Sequence, residues 1–136
     1  MGRILAIDYG TKRCGIAETD PLQIIASPLT TVEPAKILDF LQDYCSREKV
    51  ESIVIGEALR SDGTHNPVEN DIQSFIKKLQ SQLPQLKIYR QDERFSSKNA
   101  LESMIAAGTK KKDRRNKANI DAVSAAIILQ EFLQRN

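Results

Sequence analysis

The chain has 136 residues, 40% hydrophobic and 28% charged, with only 6 glycines and 5 prolines, which excludes fibrous, low-complexity and disordered classes. That length suits one compact domain over 1–136 and is too short for an enzyme that closes two domains around a nucleotide. A formal charge of +2 does not by itself announce a polyanionic partner, so the arrangement of charge has to carry that argument.

Ile4-Leu5-Ala6-Ile7 is a continuous apolar run, expected of a strand covered on both faces, and it ends near Asp8. Cys14 to Glu18 and Ile24 to Val32 are read as the next two strands, joined by the turn-rich Thr19-Asp20-Pro21. Pro28 lacks a ladder donor and assigns the latter to a sheet edge. Pro34 opens a helix in which Ile37, Leu38, Leu41, Tyr44 and Cys45 recur at helical spacing. Ser52-Ile53-Val54-Ile55-Gly56 is a fourth strand. Asn66-Pro67 caps a second helix with Val68, Ile72, Phe75, Ile76, Leu79 and Leu83 as its apolar stripe, ending before Pro84. Leu86 to Gln91 reads as a fifth strand. Ser96 or Ser97 opens a third helix that Gly108 closes, and a last helix runs from about Asn119 onward.

The links that span a helix are long enough for parallel crossovers, so the strands ending near Asp8, Gly56 and Gln91 point the same way. In such α/β sheets, sites form beyond the carboxyl ends of the strands. Those ends carry Asp8, Gly56-Glu57 and Asp92-Glu93-Arg94.

Cys14 and Cys45 belong to no CxxC or Cys/His cluster, so neither a zinc site nor a disulfide framework is indicated; free thiols suit a reducing compartment. The opening MGRILAID is unlike a secretory leader, and no run of about 18 apolar residues exists to span a membrane. A cytoplasmic protein without membrane contact is expected.

Singly, Asp8 reads as a turn-starting residue before Gly10, and Asp121 as an acid compensating the dipole in the first turn of the last helix. With Glu93 they make three acids at one sheet edge, and like charges at close range destabilise the fold unless a cation joins them. Oxygen-only ligation suits Mg²⁺ or Mn²⁺, and two such ions about 3.5–4 Å apart drive in-line phosphodiester hydrolysis.

The segment from Ile7 to Ala17, Ile-Asp-Tyr-Gly-Thr-Lys-Arg-Cys-Gly-Ile-Ala, resembles the opening motif of the RNase H-like, Holliday-junction-resolvase-like family of pre-16S rRNA nucleases. Asp62-Gly63-Thr64, Asp92-Glu93-Arg94 and the run from Asp121 to Leu129 agree with that family in order and spacing, so the resemblance spans essentially the whole chain. It implies an RNase H-like α/β fold, a five-stranded mixed sheet in the order 3-2-1-4-5 flanked by helices. It also implies that Asp8, Glu93 and Asp121 are the catalytic, metal-binding carboxylates, and that the protein matures the 5′ end of pre-16S rRNA in ribosome biogenesis. Where the family usually has Gly-Leu-Pro-Leu, this chain has Gly56-Glu57-Ala58-Leu59, so Glu57 is either a fourth ligand or a solvent-facing loop residue. Ser124 stands where related resolvases carry a second helix acid.

Lys110, Lys111, Lys112, Arg114, Arg115 and Lys117 put six cations and one anion, Asp113, into eight residues, a flap suited to attract phosphates without sequence preference. Lys12, Arg13 and Arg94 adjoin the proposed ligands and are candidate phosphate clamps, Arg94 alternatively steadying a site carboxylate. Gly10 and Gly56 are expected to let backbone approach the substrate. His65, the only histidine, reads as a turn residue. Tyr9 and Phe95 are the candidates for base stacking, too few for single-strand binding, so structured RNA or branched DNA is the expected partner. Two competing functions are an actin-like or sugar-kinase-like ATPase, against which the length argues, and a non-catalytic nucleic-acid-binding module.

Overall fold

The computed structural model describes residues 2–57, 67–92 and 117–134. Five strands, β1 (Arg3–Tyr9), β2 (Cys14–Thr19), β3 (Ala26–Val32), β4 (Val50–Glu57) and β5 (Lys87–Asp92), form one sheet in the order β3-β2-β1-β4-β5. β1 runs parallel to β4, and β4 to β5, whereas β2 is antiparallel to both β1 and β3. The mixed sheet and its order are those expected. A 3₁₀ turn at Pro34–Lys36 leads into α1 (Ile37–Arg47), and α2 (Val68–Gln82) and α3 (Lys117–Gln134) complete the described elements.

Strand periodicity divides the core in two. Leu5, Ile7, Ile53 and Ile55 are buried on the face packed by Ile37, Leu41 and Tyr44 of α1 and Ile72, Phe75 and Leu79 of α2. Ile4, Ala6, Ala17 and Val54 are buried on the opposite face against Ala125, Ala126, Ile128, Leu129 and Phe132 of α3. Burial on both faces is why β1 and β4 read as unbroken apolar runs. The small residues of α3 let its backbone lie close over β1, β2 and β3.

β3 is an edge strand, and its ladder with β2 is irregular between Ile16 and Ala17, where Ala17 pairs with Pro28; the missing donor is thus absorbed at a bulge. Of the boundaries that differ from expectation, two bear on the argument. β3 begins at Ala26 rather than Ile24, because the Asp20 carboxylate accepts the backbone N–H groups of Leu22, Ile24 and Ile25 at 3.2, 2.8 and 2.8 Å and folds this stretch into a loop. Gln23 has φ 61° there, and Leu22, Ile24 and Ile25 stand in solvent. α3 begins at Lys117, two residues before the expected Asn119, so Asp121 lies beyond its first turn and dipole compensation loses its force as a reason for that acid. The expected third helix between Ser96 and Gly108 and the Asn66 cap fall outside the described residues. No described helix is long and apolar enough to cross a membrane.

Candidate active site

Asp8 sits one residue before the end of β1, the central strand, and is the direct partner of Gly15 on antiparallel β2. Opposed residues on such a pair project to the same face of the sheet, about 5 Å apart at Cα. At Gly15 that face belongs to α3: a Cβ there would fall 2.0 Å from the Asp121 carbonyl oxygen. Helix α3 therefore touches β2 backbone to backbone at Asp121, directly across from Asp8. A glycine at this strand position is what lets Asp8 and Asp121, far apart in sequence, share one face of the sheet.

Burial pushes the Cys14 thiol up to about 11, and the negative fields of both Asp8 and Asp121 act in the same direction.

Arg13 donates from Nε to Asp121 Oδ2 at 2.9 Å, a salt bridge with side-chain exposures of 38% and 25%. The residue expected to clamp phosphate is here seen holding a carboxylate. Lys12 is exposed beside it, with no ion pair among the described residues. The room left by Gly10 is taken by its own turn, since a Cβ would lie 2.5 Å from the Arg13 carbonyl oxygen. Closing that turn, rather than admitting substrate, is the visible reason for this glycine. Tyr9 faces the other way and packs on Phe75, ring centroids 5.2 Å apart.

Glu57 ends β4, in register with Asp92 at the end of β5, so the chain carries it to the same carboxyl edge as Asp8. Glu93, Arg94, Phe95, His65, Asp62-Gly63-Thr64 and the basic residues Lys110, Lys111, Lys112, Arg114 and Arg115 lie outside the described residues. Of Lys117 only the backbone position, at the start of α3, is described.

Two features escaped the sequence reading. Gly15 is one, and its signal was available, a glycine inside a strand. The other is Arg90 on β5, whose guanidinium grips Glu69 of α2 through Nη1 and Nη2 at 2.8 and 2.7 Å and also donates to the Ile55 and Gly56 carbonyl oxygens at 3.2 and 3.0 Å. Gln73 adds a third bond to Glu69 at 2.7 Å. This network ties the start of α2 to the carboxyl end of β4. It depends on elements brought together by packing, which no local pattern announces.

The sequence matches the family described as "RuvX: Holliday junction resolvase" over residues 2–135. This chain belongs to the RuvX family. It is 52% identical over 133 residues to a Christiangramia forsetii protein named "Putative pre-16S rRNA nuclease", covering 98% of each chain. An Amoebophilus asiaticus protein of the same name is 53% identical, covering 98% of this chain and 94% of its own. Among solved structures, "T. thermophilus RuvC in complex with Holliday junction substrate" aligns with a TM-score of 0.55 at 18% identity, over 99% of this chain and 96% of that one. The structural likeness speaks for the fold alone, which is RNase H-like as the strand order indicated. RuvX membership makes the chain a hydrolase of the nuclease class.

Proposed function

We propose that this chain is a metal-dependent nuclease in which Asp8, Glu93 and Asp121 hold Mg²⁺ or Mn²⁺, and that it cleaves structured precursor RNA during 5′-end maturation of pre-16S rRNA in the bacterial cytoplasm. The observation that carries this reading is the meeting of Asp8 and Asp121 across Gly15 at the carboxyl edge of the sheet. Relatives about half identical and named for pre-16S rRNA support the substrate. Branched DNA is the second reading, favoured by the family's description as a junction resolvase.

The described donors suit such an ion. Both are carboxylates, the ligand type that hard divalent cations prefer. When bound, the ion stabilises the charge that builds on phosphate oxygens during in-line displacement. The chain's own residues do the rest. β1 and α3 hold Asp8 and Asp121 on rigid elements, and exposed Lys12 meets backbone phosphate. Arg94 and the basic residues of 110–117 attract and guide the nucleic acid without reading its sequence.

The test compares wild type with Asp8→Asn on labelled precursor rRNA and on a four-way DNA junction, with Mn²⁺, Mg²⁺ or EDTA. Cleavage of the RNA that needs metal and falls at least about a hundredfold in Asp8→Asn is expected, with RNA binding retained. Junction cleavage alone would transfer the assignment to DNA. Binding of RNA by both proteins with no cleavage of either substrate would leave a binding module and sink the catalytic reading.

A further inference from the structure

Arg13 reaches Asp121 from a turn that Gly10 closes, and the two are 108 positions apart in sequence. The contact sets a permanent cation on an oxygen of a carboxylate assigned to the metal. Guanidinium and divalent ion repel each other and compete for the same lone pairs. Both cannot be held at Asp121 Oδ2 without cost. Resting on the metal-nuclease reading, we propose that Arg13 is the resident counter-ion of Asp121 in the metal-free protein, and that a divalent cation binds by displacing it.

Three observations support this. The guanidinium lies at hydrogen-bond distance from Oδ2 and contacts it through Nε. Both side chains are partly exposed, 38% and 25%, so one cation exchanges for another without unfolding. Asp8 and Asp121 share one face of the sheet across Gly15, a gathering of acids that a nearby cation relieves. Displacement also gives Arg13 a second task. Once Nε leaves the carboxylate, the full guanidinium fork is open to a phosphate. Metal binding and phosphate binding then favour each other, and by linkage the coupling is reciprocal.

Mn²⁺ binding to metal-free protein, followed by the paramagnetic resonance signal of free Mn²⁺ and without substrate, tests the idea. Arg13→Gln is expected to bind Mn²⁺ about fivefold more tightly than wild type, the factor at the upper end for losing a part-exposed ion pair. Arg13→Lys, which keeps the charge, stays near wild type. Lys12→Gln removes one charge from the same turn without touching Asp121, and a change under about twofold there separates direct competition from general charge. Equal or weaker binding by Arg13→Gln, or equal tightening by Lys12→Gln, overturns the displacement while leaving the metal site standing. Absence of Mn²⁺ binding in wild type and every variant overturns the metal-nuclease reading and this inference with it.

Discussion

Ser124 lies one helical turn beyond Asp121, 1% exposed, and its hydroxyl has no hydrogen-bond partner among the described residues. A buried hydroxyl left unpaired costs about 1–3 kcal/mol. Ser124→Ala is therefore expected to stabilise the fold by about 1 kcal/mol, read as a higher urea midpoint at unchanged slope. Cys14 gives a second residue-scale expectation. Its thiol is held up to about 11, first by burial and then by Asp8 and Asp121, against an ordinary 9.0. A thiol that binds its proton more tightly when folded stabilises the fold fully below about pH 9, and that contribution is lost as pH rises toward 11. Unfolding free energies at pH 7, 9 and 10.5 should show this loss, with the Cys14 part removed in Cys14→Ala. At this scale Asp8 and Asp121 were legible, because an acid after an apolar strand and one inside an apolar helix both stand out. The partnership of Arg13 with Asp121 was not, since proximity to a ligand does not tell whether a cation faces substrate or carboxylate.

Between elements, the decisive contact is that of α3 on β2 at Gly15. Gly15→Ala would place a methyl group 2.0 Å from the Asp121 carbonyl oxygen, and backbone on both sides leaves nothing flexible to yield. Helix and strand must part. A loss of about 2–3 kcal/mol in urea unfolding is expected, with cleavage falling more than tenfold even where the variant remains folded. The Arg90–Glu69 pair, with side chains 22% and 9% exposed, belongs to the same scale. Arg90→Met takes the cation from a largely buried carboxylate that keeps Gln73, and removes a donor from the Ile55 and Gly56 carbonyl oxygens. After allowance for residual solvent, this should cost about 2–3 kcal/mol, and Arg90→Met with Glu69→Leu should recover part of it. β1 and β4 are legible as continuous apolar runs, and α1 and α2 from helical spacing. The start of β3 was missed because Ile24 and Ile25 are strand-forming residues that Asp20 captures by side-chain hydrogen bonds, a local competition stronger than propensity.

Over the whole molecule, crossover rules orient β1, β4 and β5 from the sequence alone, whereas the complete order rests on family resemblance, because pairing between distant strands leaves no mark in local periodicity. Two of the three proposed carboxylates, Asp8 and Asp121, are brought to one face by that topology. The α3 register that aligns them is set by Gly15 and the alanines of α3, which a sequence presents as small residues without saying what they approach.

Asp8 and Asp121 stand on the first and last of the described elements. During synthesis a chain emerges in order, at roughly 5–20 residues per second, and the early strands can pair long before α3 exists. On the metal-nuclease proposal, Asp8 therefore waits for its partner acid until α3 has been made. The proposed pair of acids is then assembled by the docking of α3 rather than by the early strands alone.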